Sequence, residues 1–244
     1  MPSRSAARLG RVSTSSRTSA PVDPFDPGQP LLILGSQSPS RAQILRQAGL
    51  EFSVLVSGVD EPEAVEERRR TLGRRPSPAE TAELLARAKA QAVAGLPEAA
   101  GHLVLGCDSV FELDGCAYGK PGTEEAARER LRTMSGRTGI LHTGHWLVDR
   151  RKADTPAEGT GLCVSARVSF AAMTPEEIDA YAATGEPLWV AGSFTLEGYG
   201  AAFITGVQGD PHAVQGLSVH GLRELLGRLG VGIQRLWRAP EQTA

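Results

Sequence analysis

The sequence has little of what marks several protein classes. It holds three cysteines among 244 residues, with no Cys-x-x-Cys pair, so neither a disulfide framework nor a cysteine zinc site is indicated. The five histidines show no metal-ligand spacing such as His-Glu-x-x-His. No apolar run approaches the ~20 residues that span a bilayer. We therefore expect a cytoplasmic protein that makes no membrane contact.

Charge of one sign and aromatic side chains are also scarce. The 26 Lys and Arg residues nearly balance the 28 Asp and Glu residues, giving a net charge of −2, and aromatics make up 5% of the chain. A nucleic-acid-binding surface needs a basic patch with aromatic stacking positions. We therefore expect no nucleic-acid partner.

Residues 1–29 differ from the rest in composition. They are rich in Ser, Arg and Pro, and no acidic residue precedes Asp23. Such a segment has too few apolar residues to order itself, and it has no apolar core of a secretory signal. We expect a disordered N-terminal tail.

After residue 29, strand and helix patterns alternate, which predicts an α/β fold with a mixed sheet. Capping residues and prolines place helix starts at Ser38, Ser77, Thr123, Thr174 and Ser218. The strand predictions cover residues 31–34, 52–56, 103–106, 109–113, 140–149 and 162–171. The arginine-rich residues 61–75 and the residues 150–161 are interpreted as polar connections.

The junction of the first strand and first helix is a candidate anion site. A helix N-terminus offers free N–H groups, Ser36 and Ser38 could add hydroxyl donors, and Arg41 could add a forked charge. The alternative is that Ser38 caps the helix and Arg41 is solvated.

Four further charged residues occupy unusual places, each with an ordinary alternative. Lys89 lies on the same helix stripe as Leu85, Ala92 and Leu96, where charged residues are unusual. It either points into a cleft or snorkels at the edge of the stripe. Asp108 interrupts an apolar strand, where a carboxylate needs a partner, a metal or a turn.

Lys120 lies in a Gly-Lys-Pro loop and is either functional or an ordinary loop lysine. Glu61 follows the second strand and is either a Mg²⁺ ligand or a solvated acid. Taken together, cations and carboxylates of this kind are what phosphoryl chemistry requires. A P-loop is excluded, because three residues separate Gly115 from Gly119 where four are needed.

The motifs in this order resemble the Maf family of nucleoside triphosphate pyrophosphatases. The matching segments are Ser36-Gln-Ser-Pro-Ser-Arg41, Asp60-Glu61, Ala86-Arg-Ala-Lys-Ala90, Cys107-Asp-Ser-Val110, Gly119-Lys-Pro121, Ser135-Gly-Arg-Thr138, Thr184-Gly-Glu-Pro187 and Ala191-Gly192 with Glu197-Gly198. The resemblance implies an elongated mixed sheet in two lobes around a central cleft. It also implies the boundaries: a tail at 1–29, a Maf-like domain at 30–232 and a C-terminal tail at 233–244.

The resemblance further implies an activity and roles. Nucleoside triphosphates would be hydrolysed to the monophosphate and pyrophosphate with Mg²⁺ or Mn²⁺, as in enzymes that remove unwanted nucleotides. Asp108 would accept the proton and, with Glu61, hold the metal. Lys89, Lys120 and Arg41 would hold phosphates, with Ser36 and Ser38 lining their seat. A homodimer is also expected, because dimers are common in the family.

Three positions that select the base in the family depart from its patterns. They are Ser40, Ser109 and Glu197, and Trp189-Val190 replaces a charged Asp-Lys pair. The preferred base therefore stays open. A non-catalytic, nucleotide-binding regulator of septum formation is the alternative function that the resemblance allows.

Overall fold

The computed structural model describes residues 31–56, 58–152 and 158–238. Within these ranges the chain forms one seven-stranded mixed sheet, as predicted, in the order β2-β1-β3-β5-β6-β7, with β4 paired to β3. The pairs of β1 with β2 and with β3 are parallel, and the other pairs are antiparallel. The strands are β1 (Leu32–Leu34), β2 (Phe52–Val54), β3 (Leu103–Leu113), β4 (Cys116–Tyr118), β5 (Thr138–Asp149), β6 (Glu158–Phe170) and β7 (Ile204–Gln208).

Helices cover both faces of the sheet. They are α1 (Pro39–Gln47), α2 (Glu61–Leu72), α3 (Pro78–Ala94), α4 (Glu124–Met134), α5 (Pro175–Ala183), α6 (Pro211–Val214) and α7 (Val219–Arg228). Side chains alternate along each strand, so Leu103 and Leu105 pack with α1 and α7, while Val104 packs with α3. No helix in the described ranges is long and apolar enough to cross a membrane.

The two lobes share the long strand β3. Strand β1 pairs with its first part, Leu103–Leu105, and β4 pairs with its last part, Phe111–Leu113. Separate hydrophobic clusters fill the two ends, one around α1 and α7 and the other around Phe111 and Phe170. Along this edge of β3, residues 106–110 therefore lie in a gap between the lobes.

Helix α3 packs against the sheet at backbone contact. A Cβ on Gly106 would lie 2.2 Å from the carbonyl oxygen of Ala86, and one on Gly144 would lie 2.2 Å from that of Ala82. Side chains at both positions are thereby excluded. This close approach brings the middle of α3 next to the gap in β3.

The capping predictions are confirmed. Ser77 and Thr174 each form a capping box, with Glu80 and Glu177 as the reciprocal partners. Ser38, Thr123 and Ser218 also cap their helices, and each side-chain oxygen accepts a hydrogen bond from the backbone N–H three residues later.

Several boundaries differ from the predictions. The two segments predicted around residues 107–108 form one continuous strand, β3. The polar connection predicted at 61–75 contains helix α2, which buries no residue and is flanked by the Asp60 cap and Gly73. The helix stripe predicted to contain Lys89 was wrong at Leu96. This residue lies beyond the end of α3 and is 38% exposed.

The chain also packs beyond the boundary expected at residue 233. A 3₁₀ helix spans Ile233–Leu236, Leu236 is buried, and its carbonyl oxygen accepts a hydrogen bond of 2.6 Å from Glu51 N–H. An apolar side chain at 236 explains the docking. The predicted tail at 1–29 and residues 239–244 lie outside the described residues.

Candidate active site

A cleft of about 650 Å³ opens at the gap along β3. It gathers all ten residues that the sequence nominated, although they come from segments up to 161 residues apart, from Ser36 to Glu197. These residues are Ser36, Ser38, Ser40, Arg41, Glu61, Lys89, Asp108, Ser109, Lys120 and Glu197. The cleft also has apolar lining, which the sequence did not nominate: Val56, Val59, Leu141, Trp189, Val190, Ala191, Phe194 and Val214.

The junction of β1 and α1 forms one wall of the cleft. Ser38 is the N-cap of α1, and Pro39 occupies the first helical position. Ser38 N–H donates to Ser36 Oγ at 3.2 Å. The capping interpretation is thus confirmed, and it leaves the anion-site hypothesis standing, because the helix N-terminus itself lines the cleft.

Arg41 is a buried guanidinium that joins three segments. Its Nε donates to the carbonyl oxygen of Gly216 at 2.8 Å, and its Nη1 and Nη2 donate to Ser36 Oγ at 3.0 Å and Ser109 Oγ at 3.3 Å. The sequence did not show the contact with Gly216, which lies 175 residues away. Within the described part of the chain, hydrogen bonds occupy three of the five N–H donors, so the fork retains donors for an anion.

Lys89 lies between two carboxylates. Its Nζ is 2.6 Å from Asp108 Oδ1 and 2.8 Å from Glu61 Oε1. Asp108 shares a strand face with Gly106, where α3 makes backbone contact, so the register of β3 sets it beside Lys89. The ammonium has three donors, and one remains beyond these two contacts.

The two carboxyl groups are tuned in opposite directions. Burial raises the pKa of Asp108 above its ordinary value, against the opposing charges of Lys89 and Arg41. Burial also raises the pKa of Glu61, but the Lys89 contact and the charges of Lys120 and Arg41 outweigh it and leave that pKa lowered. Such divergence is typical of paired acids with different roles.

Lys120 enters the cleft on a loop after β4 that other residues hold. Arg130 of α4 donates to the carbonyl oxygen of Gly119 and, at 3.3 Å, to Ser193 Oγ, and its guanidinium lies 5.1 Å from the Tyr118 ring centroid. Gly122 N–H donates to the carbonyl oxygen of Leu188 at 3.0 Å. No sequence pattern pointed to Arg130.

The positions associated with base selection lie around this cleft in different environments. Ser109 Oγ is engaged by Arg41 and lies 3.0 Å from Thr143 Oγ1. Glu197 is exposed, and its carboxylate accepts from Leu196 N–H at 3.1 Å. Ser40 is half-buried in the first turn of α1.

A glutamate that sequence reasoning missed anchors the wall bearing Glu197. The Glu186 carboxylate accepts from Tyr181 Oη, Thr195 Oγ1, Tyr199 N–H and Gly200 N–H at 2.5–2.9 Å. Burial raises the pKa of Glu186, but these donors hold it below its ordinary value. The Thr-Gly-Glu-Pro motif was a signal for this residue.

The cleft can be tested for a divalent metal through its donors. Among the described residues, no group of three or more His, Cys, Asp or Glu could hold an ion. Glu61 and Asp108 form a pair, and each uses one oxygen for Lys89. Two carboxylates, completed by water and substrate phosphate oxygens, fit Mg²⁺ in this chemistry.

Fold and cleft together define an α/β protein with a mixed sheet and a cationic, carboxylate-bearing cleft suited to a phosphorylated ligand. The sequence model of the Maf-like protein family matches residues 31–229. The chain therefore belongs to the Maf family.

Three relatives extend this comparison. Each carries the name nucleoside triphosphate pyrophosphatase: that of Streptomyces avermitilis is 49% identical over 86% of this chain and 96% of its own length. The Streptomyces coelicolor protein is 51% identical over 86% and 96%, and the Nocardia farcinica protein is 49% identical over 86% and 97%. The Ham1 protein structure of Staphylococcus aureus aligns over 84% of this chain and 92% of its own at 15% identity, with a TM-score of 0.37.

Proposed function

We propose that this protein hydrolyses nucleoside triphosphates to the nucleoside monophosphate and pyrophosphate. The observation that carries the proposal is the Lys89-bridged pair of Asp108 and Glu61 beside the Arg41 fork, in one cleft. The names of the relatives, which align over nearly their whole length, support the same reaction. The proposed substrates include both modified and standard nucleoside triphosphates, as in enzymes that remove unwanted nucleotides.

The chemistry is attack of water on the α-phosphorus. The water oxygen forms a bond to that phosphorus while the bond to the α–β bridging oxygen breaks. The electron pair leaves with pyrophosphate, and a water proton passes to the acceptor carboxylate. Asp108 is the proposed acceptor, because burial raises its pKa and makes its carboxylate a stronger base than an exposed aspartate.

The cations have the complementary task of binding the phosphates. The free donors of Arg41, the third donor of Lys89 and the exposed ammonium of Lys120 can each meet a phosphate oxygen. Ser36 and Ser38 line the same seat at the N-terminus of α1. Charge that develops on the phosphate oxygens in the transition state is thereby stabilised.

Mg²⁺ or Mn²⁺ is the proposed cofactor, with Glu61 and Asp108 as its protein ligands. When bound, a divalent ion neutralises phosphate oxygens and polarises the reacting phosphoryl group. The lowered pKa of Glu61 keeps its carboxylate ionised and available as a ligand at neutral pH.

Location and assembly are further parts of the proposal. Cys107, Cys116 and Cys163 are free, and Cys116 is exposed, which suits a reducing cytoplasm. A homodimer is proposed on the family resemblance. Ser40, Ser109 and Glu197 are proposed to contribute to base choice.

Product identification tests the function. Purified protein with Mg²⁺ and a panel of dTTP, UTP, CTP, GTP and 7-methyl-GTP is expected to release monophosphate and pyrophosphate. Asp108→Asn should lower kcat by about 10²–10⁴-fold. Asp114→Asn, the same chemical change at an exposed turn outside the cleft, is the matched control and should retain activity.

Other outcomes of this assay would indicate a different function. Release of orthophosphate would contradict the proposed bond cleavage. Nucleotide binding without turnover across the panel would instead favour the alternative, a non-catalytic regulator of cell division that uses the same seat.

A further inference from the structure

The cleft has apolar lining residues that the phosphate chemistry does not use. Trp189 lines it and is 68% exposed, an unusual state for the largest apolar side chain. Val56, also on the lining, is 47% exposed. The other exposed aromatics in the described ranges, Tyr199 and Trp237, do not line the cleft.

Trp189 is mounted on a fixed support. It ends a 3₁₀ helix, Glu186–Trp189, that follows Gly185 with φ of 76°. Glu186 at the start of this helix accepts four hydrogen bonds, and Leu188 accepts one from Gly122 at 3.0 Å. An exposed aromatic whose backbone is already ordered loses little further entropy when a ligand stacks on it.

The hydrogen bond between Gly122 and Leu188 connects the Trp189 segment to the loop of Lys120. Gly122 is two residues after Lys120, and Leu188 precedes Trp189. The loop of the phosphate-binding lysine and the support of the tryptophan are thus joined. A ligand that carries both anionic groups and a flat apolar group matches the lining of this cleft, and a nucleoside triphosphate has both.

We propose that Trp189 forms the stacking wall of a nucleobase subsite, with Val56, Val59 and Val190 as further apolar lining of the same cleft. This inference rests on the proposed function, because it assigns the base of the same substrate. Every base has a π-face, so a stacking wall tolerates several bases and leaves discrimination to polar groups at the base edge.

The test separates base binding from phosphate binding. Calorimetry with Mg²⁺ would measure Kd for α,β-methylene-GTP, whose α–β bond resists hydrolysis, and for inorganic tripolyphosphate, which has no base. Trp189→Ala should raise Kd for the nucleotide about 5- to 20-fold and leave Kd for tripolyphosphate unchanged. Trp189→Phe should recover most of the affinity. Trp237→Ala, the same change at an exposed tryptophan away from the cleft, is the matched control and should bind both ligands as wild type does.

Contrary results are distinct. An unchanged nucleotide Kd in Trp189→Ala, or an equal loss for both ligands, would overturn the subsite. A change in oligomeric state on size-exclusion chromatography with light scattering, with nucleotide Kd intact, would assign Trp189 to a subunit contact and overturn it too. If wild-type protein releases pyrophosphate in any of these cases, the proposed function survives; if it binds no nucleotide, both proposals fail.

Discussion

Lys89→Met removes the cation that the two site carboxylates share. Methionine retains most of the aliphatic length of lysine but has no ammonium. In the wild-type protein Lys89 Nζ lies 2.6 Å from Asp108 and 2.8 Å from Glu61. The substitution therefore leaves Asp108 buried without its nearest partner, while the more exposed Glu61 can be solvated.

The expected loss of stability follows from burial. Removing one member of a buried ion pair typically costs about 3–5 kcal/mol. The Glu61 side chain is 42% exposed, and an exposed pair contributes about 0–1 kcal/mol. Because Arg41 still places a charge near Asp108, we expect about 3 kcal/mol in total at pH 8, near the lower limit for a buried pair.

The loss should depend on pH with a definite sign. Burial already raises the pKa of Asp108, and loss of Lys89 raises that pKa further. The folded variant then holds a proton to higher pH than the unfolded chain does, so its free energy of unfolding falls as pH rises through the folded-state pKa. The penalty should vanish as pH falls to the unfolded value, about 4.

Urea unfolding of wild type, Lys89→Met and the double variant Lys89→Met/Asp108→Asn, at pH 5 and pH 8, tests this reasoning. The double variant should recover most of the stability at pH 8, because an amide needs no counter-charge, yet both variants should be inactive. Equal losses in the single and double variants, or a loss that does not change with pH, would refute the argument.

Three further substitutions probe the supports of the site. Arg41→Lys breaks the forked contacts with Gly216, Ser36 and Ser109. It should raise KM at least tenfold and lower the free energy of unfolding by about 1.5–3 kcal/mol. An unchanged KM would contradict the role of Arg41 in phosphate binding. Glu186→Gln replaces one carboxylate oxygen, an acceptor, by an NH₂ donor where four donors converge. It should lower the free energy of unfolding in urea by about 1–3 kcal/mol. An unchanged free energy of unfolding would contradict the anchoring role of Glu186. Arg130→Met should raise KM several-fold with little change in kcat, because it loosens the Lys120 loop. The control Arg132→Met, which removes an exposed pair with Glu129 on the same helix, should behave as wild type. Equal effects of the two substitutions would contradict the role of Arg130 in holding this loop.

Local rules predicted the elements whose pattern is local. The capping boxes at Ser77 and Thr174 depend on residues three apart, and both helices begin where the sequence placed them. Helix α2 was missed because it has no apolar stripe. It buries no residue, and exposed pairs such as Arg69 with Glu66 run along it.

Strand β3 shows a different reason for error. Asp108 follows Gly106 and Cys107 within an apolar run, and two short segments were predicted on either side of residues 107–108. Gly106 is required because α3 crosses the strand at backbone contact, and Asp108 is tolerated because Lys89 meets it there. Both causes are tertiary, and neither can be read from neighbouring residues.

The site residues also fall into two groups, those that a sequence motif marks and those that only the fold reveals. Residues that the motifs carry, such as Arg41 and Asp108, were nominated from the sequence and lie together in the cleft. Arg130 and the apolar wall at Trp189 act through partners on distant segments: Arg130 contacts Ser193, 63 residues away. A lone arginine on an amphipathic helix resembles any solvated arginine, so only the fold reveals it.

In the proposed reaction, water attacks the α-phosphorus. Products alone do not settle the point, because attack at the β-phosphorus also gives monophosphate and pyrophosphate. Hydrolysis in ¹⁸O-labelled water, followed by mass spectrometry of both products, distinguishes the two. Attack at the α-phosphorus places one ¹⁸O in the monophosphate and none in the pyrophosphate; label in the pyrophosphate would contradict attack at that atom.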